Sequence, residues 1–212
     1  MGEKEISSGS LVSSLKSRFG EHNVCAVSSE EGLFPLLLIN LELKSPVSVL
    51  MTHGLSDFTM PVHEKHSDKA NIELYFCLPN YWNLKDPNDS NSNWVYRWIS
   101  RLATYVIDKH TWFGHGHTMP CGKEMLPLSE TMKQNHFFLS EPMLLEKELA
   151  PLDIGEKRVH FLSIIPIFPD EMDYKQGKGT LKFQQKLIQH GITEKLDDYR
   201  GTVLRSKWRL FV

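Results

Sequence analysis

The sequence predicts an α+β fold in a single domain, with a mixed and mainly antiparallel central sheet and helices packed on it as an α/β sandwich. Residues 71–79 repeat an apolar side chain at every second position, which marks a strand with one buried face. Residues 158–168 are almost continuously apolar, which is typical of a central strand. Residues 94–108 place aromatic and aliphatic side chains on one broad face, which predicts a helix that covers the sheet.

Shorter patterns predict the remaining elements. Two further helices are expected at residues 6–19 and 178–190, because a glycine that can end a helix follows each apolar stripe. The further expected strands lie at residues 24–27, 35–43, 47–52 and 136–145. Residues 85–93 form a polar loop that offers N-cap side chains to the helix after it. No linker-like composition divides the chain, so we expect one domain over residues 1–212.

Composition narrows the class of protein. The 212 residues carry a formal net charge of -2, which predicts neither a nucleic acid nor a membrane as partner. The three cysteines have no repeated spacing, so a reducing compartment is expected. The polar N-terminus has no secretory h-region, and no apolar run approaches the ~20 residues that cross a bilayer. We therefore expect a cytoplasmic protein, and because no nucleotide-binding motif occurs, no cofactor.

Residues 112–120 (WFGHGHTMP) form the most informative segment. Two histidines, His115 and His117, each follow a glycine, and in an extended segment their rings would lie on one side. They could bind zinc together with a third ligand such as His53, although no HExxH motif or CxxC pair supports this. We favour a rigid turn in which the imidazoles hydrogen-bond the backbone. Trp112, beside this turn, is expected to be partly exposed.

Residues 51–57 (MTHGLSD) follow an apolar strand, where polar side chains often line a pocket. His53, Ser56 and Asp57 invite comparison with a serine hydrolase, but the frame lacks the glycines of a nucleophile elbow. We expect instead a turn in which the Ser56 and Asp57 side chains bond backbone N–H groups.

Residues 169–175 (PDEMDYK) begin after the predicted central strand. Asp170, Glu171 and Asp173 open a helical turn there, where acidic side chains interact favourably with the helix dipole. The same acids could form a patch that meets a basic partner. Four basic side chains occur in the C-terminal tail, which we interpret as a solvated surface: Arg200, Arg205, Lys207 and Arg209.

Several blocks, taken in order, resemble the Suppressor of Fused domain family over roughly residues 45–200. The blocks are residues 53–57 (HGLSD), residues 73–79 (ELYFCLP) with Trp82, the helix residues Trp98, Leu102, Ala103 and Tyr105, residues 114–118 (GHGHT), residues 159–167 (VHFLSIIPI) and residues 170–172 (DEM). The resemblance is greatest to the short, single-domain bacterial forms, because the chain has no room for the second domain of the animal protein. The turn at residues 114–118 differs in sequence from the corresponding turn of the animal protein. Of all the blocks, it is therefore the one for which the resemblance says least about its role in this chain.

The resemblance implies an α/β sandwich that binds protein without catalysis. In animals such a domain sequesters a transcription factor, partly by pairing with an extended peptide, a mode that suits β-augmentation. Bacterial relatives are linked to toxin systems as immunity proteins. We therefore expect an immunity protein or antitoxin that occludes a toxin such as a nuclease. A further alternative is that the chain is a scaffold for a regulatory protein, which needs the same kind of complementary surface.

The residues expected to contact the partner come from the three polar segments: His53, Ser56, Asp57, Trp112, His115, His117, Thr118, Asp170, Glu171 and Asp173. The alternative is a metal-dependent hydrolase that uses His115 and His117 with a third ligand.

Overall fold

A computed structural model of the chain describes residues 9–27, 33–84 and 89–204. The helices are α1 (Gly9–Phe19), α2 (Ser90–Asp108), α3 (Pro169–Lys178) and α4 (Thr180–Gln189). The strands are β1 (Val24–Val27), β2 (Leu36–Leu41), β3 (Val47–Thr52), β4 (Asn71–Pro79), β5 (Thr118–Pro120), β6 (His136–Ser140), β7 (Leu152–Ile154) and β8 (Lys157–Ile167). Within these ranges, none of the helices combines the length and the apolar character that crossing a bilayer requires.

One mixed sheet organises the described residues. Its order is β1-β2-β3-β4-β8-β6-β5, and β7 pairs with β8 beside this path. The pairing of β4 with β8 is parallel, from Asn71 opposite Val159 to Tyr75 opposite Ser163, and the other pairings are antiparallel. β8 lies between β4 and β6, so its apolar sequence is central as predicted. The predicted α+β class with a mainly antiparallel, mixed sheet is confirmed.

Helices cover both faces of the sheet. α2 packs Ile99, Leu102 and Val106 against one face, in a cluster that includes Leu74 and Phe76 of β4. The opposite face receives α1 near the β1 edge and α4 near β6, in two further clusters. The domain is therefore a three-layer sandwich with its core on both sides of the sheet.

The predicted buried face of β4 is confirmed, and the structure shows that its other face is buried as well. The sequence pattern placed Ile72, Leu74 and the two following alternate residues on a single buried face, but the other face of β4 is equally enclosed. Tyr75 and Cys77 are both 0% exposed. The physical reason is the three-layer packing, because a strand at the centre of a sheet covered on both faces has no solvent side.

The element bounds differ from the sequence prediction mainly where elements are short. The helix expected at residues 6–19 is described from Gly9, and residues 6–8 lie outside the described part. The acidic helical turn is a full ten-residue helix, α3, and the strand expected at residues 136–145 ends at Ser140. β5 and β7 have three residues each, too few for a visible period. Arg205, Lys207 and Arg209 of the tail fall beyond the described residues.

Two fully buried carboxylates hold loops against the sheet. Glu171 pairs with Arg200 (Nη1 to Oε1, 2.8 Å) and also accepts hydrogen bonds from the backbone N–H groups of Phe168 and Val203. Glu194 accepts the backbone N–H groups of residues 143–145 at 2.8–3.0 Å. A carboxylate leaves water at a cost of several kcal/mol, so each of these groups requires its complete set of donors.

We expect Arg200→Met to lower the free energy of unfolding by about 3–5 kcal/mol, because it leaves the Glu171 carboxylate buried without its counter-ion. The measurement is equilibrium urea unfolding at neutral pH. The matched control is Arg158→Met, whose pair with Asp153 is more than half exposed and should change stability by about 0.5 kcal/mol or less. Equal losses in the two variants would contradict the structural role of the Arg200 pair.

Candidate functional site

The Gly-His segment is a tight turn, as the favoured interpretation expected. The His117 N–H donates to the Gly114 carbonyl at 3.1 Å, which closes a β-turn with His115 and Gly116 at its centre. Gly116 has a φ of 90°, a left-handed value that favours glycine, and a Cβ there would lie 2.7 Å from Oγ1 of Thr180. The glycine therefore lets the turn lie directly against the start of α4.

The two imidazoles of the turn diverge. His115 accepts the backbone N–H of Glu141 on Nδ1 at 3.2 Å, and its ring lies 6.0 Å from that of Phe138. His117 instead packs on Trp112, with ring centroids 4.3 Å apart. Burial lowers the pKa of both histidines, and Lys175 lowers that of His117 further, so both rings are neutral at pH 7.

The described residues do not assemble the metal site of the alternative hypothesis. No three His, Cys, Asp or Glu side chains among them are grouped so that they could hold a metal ion. His115 and His117 point to different neighbours because the segment turns instead of running extended. A zinc site needs at least three converging protein ligands, so the pairing of these histidines with His53 is not supported.

The segment after β3 is fixed by a third buried carboxylate, Glu73 of β4. Its oxygens accept the backbone N–H groups of Gly54 and Ser56, both at 3.1 Å, and the hydroxyls of Ser56 and Thr52. Ser56 is 5% exposed and its Oγ donates to Glu73 at 2.7 Å. Burial raises the pKa of Glu73 to about 7, although the hydrogen bonds oppose this rise. We therefore correct the expected role of Ser56 from partner contact to anchoring of the turn.

Asp57 and His53 behave differently from Ser56. Asp57 is exposed and pairs with Lys157, Nζ to Oδ1 at 3.2 Å, instead of bonding the backbone as expected. His53 is half-buried, and its Nε2 has no hydrogen-bond partner among the described residues. Because Ser56 donates to Glu73, no described imidazole activates its hydroxyl as a serine hydrolase requires.

Residues 58–70 join the two polar segments into one surface. The Phe113 N–H donates to the sulfur of Met60 at 3.3 Å, and the ring of His66 lies 6.2 Å from that of Trp112. The exit from β3 and the Gly-His turn therefore share one side of the molecule. We name the exposed and half-buried part of this side the turn face: His53, Asp57, Trp112, His115, His117 and Thr118.

The acidic residues of α3 are not part of the turn face. Glu171 is 0% exposed and bound to Arg200, so its expected contact with a partner is corrected to a structural role. Asp170 is exposed and accepts the Thr202 hydroxyl at 2.8 Å, and Asp173 is exposed one turn further along. They stand near the N-terminus of α3, whereas Lys175, nearer its C-terminal end, is the α3 residue that reaches the turn face.

A cleft of about 420 Å³ opens on the turn face, and we name it the Trp112 cleft. Its lining includes three aromatic side chains and three polar ones: Tyr105, Trp112, Phe113, His117, Thr118 and Lys175. Trp112 is half-buried as expected, and so are Trp82 and Trp98, whereas Trp94 is in the core. Gly114 allows this arrangement, because a Cβ there would lie 2.8 Å from Cζ3 of Trp112.

Sequence reasoning missed several polar groups on this side. Lys69 pairs with Glu141, and both lie close enough to His115 and His160 to shift the pKa of each ring. The four residues come from four separate segments that only the tertiary structure brings together. His115 was already a candidate from the Gly-His segment, but no local pattern in the sequence signals Lys69, Glu141 or His160, and the same holds for Lys175 in the cleft.

We expect the contribution of Glu73 to stability to fall as pH rises from about 4.5 to about 7, because folded Glu73 holds its proton where the unfolded chain has released it. The unfolding free energy of the wild-type chain minus that of Glu73→Gln should decrease over that range, by about 3 kcal/mol at most. Urea unfolding at a series of pH values measures it. Glu146→Gln, at an exposed position, should give a constant difference. A wild-type minus Glu73→Gln value that increases with pH would refute the raised pKa of Glu73.

Gly116→Ala should destabilise the protein by about 2–4 kcal/mol, since the new Cβ meets Thr180 and the φ is left-handed. Gly191→Ala is the control, because its φ is also positive but no atom lies within 4 Å of its Cβ position, and it should cost about 1 kcal/mol. Thr180→Ala should recover part of the Gly116→Ala loss in the double variant. Chemical unfolding that gives the same loss for both glycine variants would exclude the contact with α4.

Comparisons with known proteins agree with this architecture. The family model of Suppressor of fused protein (SUFU) matches residues 35–200, more than half of the chain and starting ahead of residue 45, where the resemblance was expected to begin. No curated protein sequence matches the chain.

Three solved structures share the fold at low sequence identity. A chain of the Sufu-Fu complex has a TM-score of 0.67 and 16% identity, with 93% of this chain and 92% of that chain covered. Drosophila Suppressor of Fused gives 0.65 and 16%, covering 92% of this chain and 50% of that chain. A SUFU homolog from Neisseria gonorrhoeae FA 1090 gives 0.60 and 18%, covering 92% and 96%.

The ordered blocks in the sequence, the three-layer sandwich and the match of the family model all agree. The chain belongs to the Suppressor of fused (SUFU) protein family.

Proposed function

We propose that the chain is a non-catalytic protein-binding module that acts in the cytoplasm as an immunity protein or antitoxin, and that it silences its toxin by occlusion. Membership in the SUFU family is the observation that carries the binding role. The toxin as partner rests on the resemblance to short, single-domain bacterial forms. One of the similar solved structures is the complex of Sufu with Fu, so a protein with this fold binds another protein, which supports a protein partner here.

The turn face is the surface that we assign to the partner. It combines an aromatic cleft, centred on Trp112, with charged groups at its border, and interfaces of this kind concentrate binding energy in aromatic anchors. Its loops are held by Glu73, by Met60 and by the packing of Gly116 on α4. A surface that is fixed before binding loses little conformational entropy when the partner arrives.

The chemistry-bearing side chains serve the structure, which supports binding rather than catalysis. The Ser56 hydroxyl anchors a turn, the histidines of the Gly-His segment face different neighbours, and Glu171 is bound to Arg200. Occlusion requires only a complementary surface. Exposed acidic side chains such as Asp57, Asp170 and Asp173 would speed the encounter with a basic toxin.

Co-expression with the protein encoded by the adjacent gene tests this proposal. We expect that protein alone to arrest bacterial growth, and the chain to restore growth and to copurify with it. Trp112→Ala should weaken the complex about thirtyfold, because a buried aromatic anchor is worth about 2 kcal/mol or more. Calorimetry on the purified pair measures the change in affinity.

The control is Tyr199→Ala. Tyr199 is 80% exposed and follows Asp198, which bonds Tyr81 beyond the C-terminal end of β4, opposite the end that carries the turn face. This variant should keep full affinity. A second turn-face variant, Thr118→Arg, adds bulk and charge to the turn face without removing a core contact. Like Trp112→Ala, and unlike the control, it should weaken binding. If the wild-type chain neither restores growth nor copurifies with the toxin, the immunity role is refuted.

A further inference from the structure

The side chain of Gln134, two residues before β6, is a buried amide. The residue is 1% exposed, and neither its Nε2 nor its Oε1 has a hydrogen-bond partner within residues 9–27, 33–84 and 89–204. A glutamine amide has two N–H donors and an oxygen acceptor, and burying these groups unpaired costs free energy. The amide of Gln134 therefore calls for a partner from outside these ranges.

Gln134 lines a small cavity at the C-terminal end of β8. Its other walls include Ile165 and Pro166 of β8 and several residues of the stretch 192–200, which follows α4 and which we name the post-α4 segment. The space open to the centre of a water-sized sphere is about 10 Å³, roughly what a single water molecule needs. Small-molecule sites measure about 300 Å³ or more, so water is the ligand that fits.

The post-α4 segment offers this cavity further hydrogen-bonding capacity. Oε1 of Glu194 accepts the N–H groups of Met143 and Leu145 and the hydroxyl of Tyr75, whereas Oε2 accepts the N–H of Leu144 at 2.8 Å. A carboxylate oxygen has about two acceptor sites, so Oε2 can accept one more hydrogen bond. The irregular main chain around Glu194 adds carbonyl groups to the same wall.

We propose that this cavity is a binding site for one structural water molecule, which joins the amide of Gln134 to the post-α4 segment. The water accepts a hydrogen bond from Nε2 and donates one to Oε1 of the same amide, because an N–H and the C=O of a primary amide lie side by side. Its second hydrogen is donated to Glu194 or to a neighbouring carbonyl. A water with three such partners is typical of buried hydration sites.

The water adds an anchor to a segment that two buried ion-pairing or hydrogen-bonding groups already hold. Glu194 fixes the start of the segment, and Arg200 fixes its end to Glu171. Between them, the N–H of Leu196 donates to the carbonyl of Cys77 of β4 at 2.8 Å. The water links the same segment to the residues before β6, so that it is held to both halves of the sheet.

The site goes beyond the proposed function, because it lies away from the turn face. The Gly-His turn adjoins the C-terminal end of β6, where the N–H of Gly116 donates to the carbonyl of Leu139. Gln134 precedes the N-terminal end of the same strand. Loss of the water would therefore leave the partner surface in place, and the immunity role neither requires the water nor depends on it.

A crystal structure of the wild-type chain, at a resolution that shows ordered waters, is the direct test. We expect electron density for one water within hydrogen-bonding distance of both side-chain polar atoms of Gln134 and of a polar group in the post-α4 segment. A well-ordered cavity without this density, or a protein side chain in the position of the water, would overturn the proposal.

Gln134→Met tests the same site in solution, because methionine keeps the length of the side chain and removes its polar atoms. In a dry cavity this change removes an unsatisfied amide and is neutral or stabilising. In a hydrated cavity it takes two partners from the water and loosens the post-α4 segment. We therefore expect the urea midpoint to fall. A midpoint equal to that of the wild-type chain, or higher, would overturn the proposal.

Hydrogen exchange shows whether the effect of Gln134→Met is local. Exchange at the Leu196 N–H should become about fivefold faster relative to the His53 N–H, a factor that corresponds to about one net hydrogen bond. The His53 N–H donates to the carbonyl of Pro35 at the other end of the sheet. Equal acceleration at both amides would contradict a local anchor. The control is Gln189→Met, an exposed glutamine at the end of α4, which should change neither the midpoint nor this ratio.

Discussion

Three buried carboxylates hold the loops of this protein to its sheet. Glu73, Glu171 and Glu194 are each 0% exposed, and each accepts backbone N–H groups from a segment that leaves a strand or helix. A buried carboxylate is tolerated only when its hydrogen-bonding capacity is satisfied, so these segments have few alternative positions. Because the exit from β3 is fixed in this way by Glu73, the surface built on it has a defined shape before any partner binds.

The parallel pairing of β4 with β8 is the second constraint. It places both strands at the centre of a sheet that α2 covers on one face and that α1 and α4 cover on the other. Both strands are strongly apolar in sequence because a strand in this position is buried on both faces. The polar residues in these two strands, such as Glu73 and Ser163, are tolerated there because neighbouring groups satisfy their hydrogen bonds.

The sequence predicts most of this fold and less of the surface. Strands with a strong apolar pattern and the amphipathic helix α2 are found close to where the pattern places them, because burial determines their composition. The burial of Ser56 and Glu171 could not be predicted, since a polar side chain reveals its partner only in three dimensions. The place of Lys175 in the cleft could not be predicted either, because it depends on contact with the turn at residues 114–118, which is far away in sequence. Trp112 was identified because it adjoins a glycine-rich turn.

The central strand pair also sets an order of events during synthesis. Asn71 of β4 finds its partner only at Val159 of β8, so a ribosome must finish nearly the whole domain before the middle of the sheet can close. Until then β4 exposes one unpaired apolar edge, the kind of intermediate that aggregates or recruits chaperones. The late closure of this edge therefore leads us to expect aggregation to compete with folding while the chain is still being synthesised.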